Sequence, residues 1–327
     1  MIEKGKYLIT GATGLIGSAL VKALAIDGID LTCPVRDKNK ARSLFTDDSF
    51  DKVRWLEIPL EDYVSNISES FDYIIHCASP TASKYFVEHP VETMRFNTEI
   101  TTALLEYSRK NEIKGFVYLS SLESYGTVLD DSKEIDESFQ GYVNPMETRS
   151  SYNMAKRMCE SLCHAYAEEY KVPVKVVRLT QTISPFINDD DMRVFAQFAR
   201  HAAKGEDIEL HTEGTASRQY IYIDDAVDAI LCVLYKGATG DAYNAARVDS
   251  YISVKEMAQF VQRNFNPSGK VVFHLRDDMG YAPTTKLKLS TDKLKNLGWE
   301  AKRGLYEMFE ALINRIKETN EKQEYKL

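Results

Sequence analysis

Through the first 180 residues, short apolar runs alternate with longer amphipathic ones, and this alternation limits the fold more than any other feature. Lys6–Thr10, Ile29–Val35, Val53–Ile58, Tyr73–Cys77, Gly115–Ser120 and Val174–Leu179 read as strands. Several carry β-branched residues at consecutive positions, as strands covered on both faces do. Between them, Leu15–Asp27, Lys38–Phe45, Val91–Lys110 and Ser151–Tyr170 have helical spacing. Such alternation gives a parallel sheet, wound right-handed, with helices on both faces. An α/β chain with a doubly wound parallel sheet is expected.

Composition narrows the class of function. The 327 residues are 44% hydrophobic and 28% charged, enough to bury a large core. Disordered, collagenous and disulfide-stapled architectures are excluded. The net charge of −8 argues against nucleic acid or an anionic membrane as partner. Five cysteines, an odd number with no Cys-x-x-Cys pair, read as buried reduced thiols. No signal-peptide core and no membrane-length apolar run is present, so a cytoplasmic location is expected. Cys159 and Cys163 lack accompanying ligands, and Asp189 to Asp191 read as a solvated loop. No metal site is expected.

Chemistry enters at the first strand–helix junction. Thr10-Gly11-Ala12-Thr13-Gly14-Leu15-Ile16-Gly17 follows a strand and opens a helix. Gly11 permits the turn, Gly14 admits a pyrophosphate close to the backbone, and Gly17 lets helix pack on strand. The amides of Thr13, Leu15 and Ile16 then face an anion at a helix N-terminus. This is a dinucleotide-binding pattern. Residues 1–180, with 220–247 returning, are assigned to a Rossmann domain that binds NAD(P). Residues 181–219 and 248–327 are assigned to a smaller C-terminal α/β domain that binds substrate. There the helical patterns are Met192–Lys204, Asp225–Tyr235, Val254–Asn264 and Leu305–Glu318, and Ser253 with Glu256 makes a capping box.

The end of the second strand selects the cofactor. An acid there bonds the adenosine ribose of NAD, whereas a cation favours the 2′-phosphate of NADP. Arg36 comes first, with Lys38, Lys40 and Arg42 nearby. Asp37 is the competing, NAD-type reading. The balance favours NADP(H), with NAD(H) as the alternative.

Tyr152 and Lys156 lie four apart on one helical face. A phenol of pKa about 10 is a poor proton shuttle at neutral pH. A cation about 4 Å away contributes about 4 kcal/mol at an effective dielectric of 20, enough to move the phenol roughly three pH units toward 7. A bound oxidised nicotinamide adds to this. Ser121 ends the fifth strand, on the side of the sheet where ligands sit. It can orient a substrate oxygen while Tyr152 passes the proton.

These motifs together resemble the extended short-chain dehydrogenase/reductases, the NAD-dependent epimerase/dehydratase family, which is dominated by nucleotide-sugar enzymes. The similarity spans nearly the whole chain. It includes Thr10–Gly17, Asp72-Tyr-Ile-Ile-His-Cys-Ala78, Asn97, Tyr118-Leu-Ser-Ser121, Tyr152-x-x-x-Lys156, Arg178, Arg218-Gln-Tyr-Ile-Tyr-Ile-Asp-Asp225, Ala242-Tyr-Asn-Ala245 and Leu297-Gly-Trp299. The resemblance implies a catalytic set of Ser121, Tyr152 and Lys156, with Gly11, Gly14, Gly17 and Ala78 at the cofactor. It implies Arg218 on a nucleotide-sugar diphosphate, a role that suits a planar guanidinium. It also implies a homodimer built on Ser151–Tyr170 and Val91–Lys110.

Three departures bear on the reaction. Ile58-Pro59-Leu60-Glu61 lacks the family's acid near the adenine. Gln181 stands where many members carry a substrate-binding Asn. Ser121-Leu122-Glu123 lacks the central acid of the sugar 4,6-dehydratases but keeps Glu123, a second acid–base candidate. Arg36 and the loss of the central acid at Leu122 point first to net reduction of a carbonyl on a nucleotide-linked sugar. The alternative is a self-recycling epimerase, decarboxylase or dehydratase that uses Glu123. A non-catalytic dinucleotide sensor has no use for the Tyr–Lys pair.

Overall fold

The computed structural model describes residues 2–45, 48–276 and 284–324. Its centre is a seven-stranded sheet. The strands are β1 (Gly5–Thr10), β2 (Ile29–Val35), β3 (Val53–Glu57), β4 (Tyr73–His76), β5 (Gly115–Ser121), β6 (Val174–Leu179) and β7 (Ala242–Ala245). Their order across the sheet is β7-β6-β5-β4-β1-β2-β3, and every pairing is parallel. The order reverses beside β1, which opens a crevice at the carboxyl ends of the strands. The registers Thr10↔His76, His76↔Tyr118 and Ser121↔Leu179 bring the ends of β1, β4, β5 and β6 together at that crevice.

Each face of the sheet has its own core. On one, Leu20, Val21 and Leu24 of the helix Leu15–Leu24 pack with Ala226, Ile230 and Val233 of the helix Ile223–Lys236. On the other, Leu104 and Leu105 of the helix Pro90–Lys110 meet Cys159 and Cys163 of the helix Ser150–Tyr170. A third cluster, with Phe195, Phe198, Met257, Phe309 and Leu312, lies in the C-terminal half. Leu15 and Ile16 of the glycine-rich turn pack against it. The nucleotide turn is thereby pinned to both the sheet and the C-terminal core.

Several elements depart from the pattern-based expectation. Short helices at Leu60–Ser65 and Ser83–Glu88 carry too few residues to establish a period. The last helix runs on to Glu324, six residues past the expected end. The capping box at Ser253 and Glu256 is formed on both sides. All five thiols are free, but only Cys33, Cys159 and Cys163 are buried, while Cys77 and Cys232 are half-buried. Asp189 and Asp190 are exposed, while Asp191 pairs with Arg193. Among the described residues no group of His, Cys, Asp or Glu is arranged to hold a metal ion. No described helix is long and apolar enough to cross a membrane.

Gly11 has φ +71, and a Cβ there would meet the Ala78 backbone nitrogen at 2.8 Å. A Cβ on Gly17 would stand 2.1 Å from the Gly11 carbonyl oxygen, whereas on Gly14 the nearest atom is 3.2 Å away. Backbone cannot yield as a side-chain tip does. Gly17→Ala should therefore cost about 2–3 kcal/mol of folding stability. Gly14→Ala should cost much less. Urea midpoints of the two variants check this ordering.

Candidate active site

The first turn of the helix Leu15–Leu24 starts at Gly14, which has no side chain to cap it. Its leading amides are left for a ligand, and their partial positive charge favours an anion. Thr13 is half-buried and Gly14 is exposed beside them. Ala78 closes the turn from β4, its amide donating to Thr10 Oγ1 at 3.2 Å. The cradle that a Cβ would fill at Gly11 and Gly17 fits a dinucleotide pyrophosphate.

At the tip of β2 the two competing side chains separate. The Asp37 carboxylate accepts from the amides of Asn39 at 2.8 Å and Lys40 at 3.1 Å, capping the helix Lys38–Leu44. Arg36 is exposed and has no ion pair among the described residues. Lys40 is exposed on the same helix. At the adenine side, Leu60 is buried in the core, which accounts for the missing acid there.

Tyr152 and Lys156 are both buried near the start of the helix Ser150–Tyr170, on the face turned to the sheet. Lys156 Nζ donates to the Leu119 carbonyl at 2.8 Å and lies 4.8 Å from the Tyr118 ring centre. Phe86, from the unexpected helix Ser83–Glu88, stacks on Tyr152 with ring centres 5.0 Å apart and an interplanar angle of 16°. Ser151 fixes that contact by donating to the Phe86 carbonyl at 3.0 Å. The phenol is walled by an aromatic ring that the sequence pattern did not reveal.

The electrostatics differ from the expectation drawn from i, i+4 spacing. Burial pushes the Tyr152 phenol above its ordinary pKa, and the Glu123 carboxylate pushes it further. Hydrogen bonds from Ser121 and Ser79 pull it down. Lys156 Nζ lies 5.6 Å from the Tyr152 ring centre, behind the phenol. Burial pushes the Lys156 ammonium down to about 8, so desolvation spends much of the cation's advantage. Added positive charge, such as an oxidised nicotinamide ring would carry, would lower the phenol again. His76 lies nearby, held by Thr10 Oγ1 at 2.7 Å and Thr101 Oγ1 at 3.3 Å; burial, aided by Lys156, lowers it to about 3 and keeps it neutral.

Ser121 ends β5 and caps a single helical turn, Leu122–Tyr125, by accepting from the Glu123 amide at 3.2 Å. Leu122 points into a separate apolar cluster with Tyr125, Ile135, Leu287 and Leu289. Glu123 is half-buried on the phenol side. Asn153 Nδ2 grips it twice, at the main-chain oxygen (2.7 Å) and at Oε2 (3.2 Å). One turn on, Arg157 donates to the carbonyls of Ser124 at 2.6 Å and Tyr125 at 3.1 Å. The catalytic helix thus holds the turn that carries Glu123.

Gln181 begins a short strand, Gln181–Ile183, that pairs with Tyr220–Tyr222. Arg218 lies on Ser217–Arg218, opposite Ile252. The Thr180 hydroxyl donates to the Gln219 carbonyl at 2.5 Å, which brings the two segments side by side. Arg218 is half-buried and forms no ion pair among the described residues.

Sequence reasoning missed Ser79, Phe86 and Asn153. Ser79 had a legible signal, because it lies just past the carboxyl end of β4, on the edge of the sheet where Ser121 ends β5. Phe86 and Asn153 had none, since each acts through a contact between elements distant in the chain.

With the geometry in place, comparison with known proteins is decisive for the family. The sequence description of the NAD dependent epimerase/dehydratase family matches residues 7–246. The chain belongs to that family. Curated relatives include UDP-glucuronic acid decarboxylase 5 of Arabidopsis thaliana, 29% identical over 307 residues, covering 91% of this chain and 85% of the relative. UDP-glucuronic acid decarboxylase 1 of Xenopus tropicalis is 26% identical over 303 residues, covering 91% and 69%. Among solved structures, the fold matches a UDP-glucose 4-epimerase of Thermotoga maritima with TM-score 0.83 and 22% identity, over 96% of this chain and 99% of that one. Members of the NAD dependent epimerase/dehydratase family share this doubly wound frame.

The unusual Lys156 pKa has a consequence for stability. Between pH 8 and 10.5 the unfolded chain binds a proton at Lys156 that the folded chain has released, so this lysine opposes folding most below pH 8. Lys156→Met should be more stable than the wild type at neutral pH, and its advantage should shrink as pH rises through that window. Urea titrations of both proteins measure the difference; a pH-independent gap contradicts the assignment.

Proposed function

We propose that the protein is a self-recycling NAD-linked enzyme acting on a nucleoside-diphosphate sugar, and that its reaction is the decarboxylation of a UDP-linked uronic acid. The observation that carries this reading is the Glu123 carboxylate beside the Tyr152 phenol, with Leu122 withdrawn into an apolar cluster. One acid–base group suffices for hydride transfer, whereas a second step on the same sugar needs another. The curated decarboxylase relatives support it further.

A dinucleotide held at the turn of Gly11, Gly14 and Gly17 would supply reversible hydride acceptance beside the sugar. Tyr152 takes the proton of the reacting hydroxyl while Ser121 bonds the same oxygen. Lys156, held by the Leu119 carbonyl, keeps positive charge behind the phenol. Oxidation at the carbon next to the carboxylate-bearing one makes a β-keto acid, which loses carbon dioxide. Glu123, after taking up a proton from solvent, supplies the proton that replaces it, and Tyr152 returns its own proton as the hydroxyl re-forms. Arg218 and Gln181 hold the diphosphate.

A second reading, net reduction with NADPH, is favoured by one observation: among the described residues Arg36 has no ion pair, while Asp37 is committed to a helix cap. A related Pseudomonas aeruginosa fold was solved with NADPH (TM-score 0.76, 21% identity, 97% and 100% covered).

One experiment separates the two. The purified protein is denatured and its bound nucleotide identified by mass, and intact protein is incubated with UDP-glucuronic acid without added dinucleotide. Bound NAD and release of carbon dioxide are expected. Glu123→Gln should lower turnover by about 10²-fold or more with dinucleotide content unchanged. Absence of bound NAD, together with oxidation of added NADPH by a keto-sugar nucleotide, would establish the reductase.

A further inference from the structure

A buried ammonium needs something in place of the water it has lost. Lys156 makes one hydrogen bond among the described residues, to the Leu119 carbonyl, and no carboxylate pairs with it there. Glu160, one helical turn along, is spent on Arg178 at 2.6 Å and on the Ser120 hydroxyl. What meets the ammonium from the sheet is an aromatic face. Lys156 Nζ lies 4.8 Å from the Tyr118 ring centre, closer than the 5.6 Å to that of Tyr152.

Tyr118 is placed for this by the strand that carries it. It lies in the middle of β5, in register with His76 of β4 and Val176 of β6, and is buried. It shares a core cluster with Leu104, Cys159 and Cys163 of the two helices on that face. His76 flanks the ring with 5.6 Å between centres. The Tyr118 hydroxyl has no hydrogen-bond partner among the described residues. The Cys159 thiol near it gives its own proton to the Asn97 carbonyl at 3.3 Å. The ring, not the hydroxyl, is the part of this side chain that meets a functional group.

We propose that Tyr118 is a positioning residue for proton transfer, its ring face serving as a neutral counter-group that holds Lys156 charged behind the Tyr152 phenol. An aromatic ring attracts a cation through its quadrupole and carries no net charge. A carboxylate at the same place would also hold the lysine, but its charge would cancel the field that favours phenolate. An aliphatic side chain would leave the ammonium with a single carbonyl. The ring keeps the lysine charged and leaves that charge free to act on the phenol. The inference rests on the proton-shuttle role given to Tyr152 and Lys156, not on which sugar is bound.

The pH at which Lys156 loses its charge reports the contact. The other titratable groups facing it are His76 and Cys77 at the end of β4, and Tyr152, Cys159, Glu160 and Cys163 on its own helix. Burial keeps His76 neutral and pushes the three thiols and the phenol up, away from the range near 8 where the lysine titrates. Glu160 is held in its pair with Arg178.

The test uses the full chain saturated with NAD, each protein compared with its own Lys156→Met counterpart in urea titrations. The pH at which that stability gap starts to close marks the loss of the lysine's charge in the folded state. Tyr118→Leu should move this pH down by about one unit, the size of one desolvated cation–aromatic contact. Tyr118→Phe should return it to the wild-type value. Phenylalanines bearing one, two and three ring fluorines, placed at position 118, keep the ring's shape while draining its face. They should step the pH down in order, and they serve even where Tyr118→Leu fails to fold. With UDP-glucuronic acid as substrate, the pH above which kcat falls should move by the same amount, with KM unchanged. A closing pH that is the same in all these proteins overturns the proposal. So does a Tyr118→Phe value that matches Tyr118→Leu, since the hydroxyl would then be the active part. Absence of carbon dioxide release from the wild type would instead refute the parent reading, and the urea titrations still decide the role of Tyr118.

Discussion

The helix that carries Tyr152 and Lys156 is fixed to the sheet by a buried ion pair two turns along. Arg178, on β6, meets the Glu160 carboxylate through Nη2 at 2.6 Å and through Nε at 3.1 Å. The same carboxylate accepts from the Ser120 hydroxyl, next to Ser121. Glu160 stands four residues after Lys156 and eight after Tyr152, so its rotation about the helix axis sets theirs. Taking two charges out of water is costly, and such a pair adds little net stability over an apolar replacement. Its contribution is orientation: it aligns β5, β6 and the catalytic helix. The guanidinium also donates to the Glu137 carbonyl at 2.8 Å, tying down the loop that leads to the helix.

Burial then decides the chemistry. In water an ammonium near a phenol would draw its pKa down; here desolvation raises the phenol and lowers the lysine. In the proposed reaction Tyr152 is neutral at rest and would become a base when a positively charged ring docks beside it. Such a device suits an enzyme whose proton and hydride must leave the sugar together. Glu123 opposes premature loss of the proton, since its charge disfavours phenolate.

Much of this was legible in the sequence because it rests on local periodicity. The six strands of the first half, the glycine turn and the long catalytic helix each announce themselves within a dozen residues. The seventh strand, Ala242–Ala245, has no period of its own; the family resemblance marked its residues but not that they form a strand. What the pattern could not give is the result of packing between distant segments. The Asp37 cap is local to the helix it precedes and went unread, whereas Asn153 on Glu123 and Phe86 on Tyr152 each depend on where another element lands. The phenol acidity expected from spacing erred for the same reason, because four residues of helix say nothing of how much water is excluded.

The central claim is that oxidation and reduction occur on one bound sugar without exchange of the dinucleotide. A nucleotide sugar bearing deuterium at the carbon that carries the reacting hydroxyl tests it directly. After complete turnover in the presence of excess unlabelled NADH and NADPH, the product should hold the deuterium at that same carbon. Deuterium found in free dinucleotide, with hydrogen in its place on the sugar, would contradict the account.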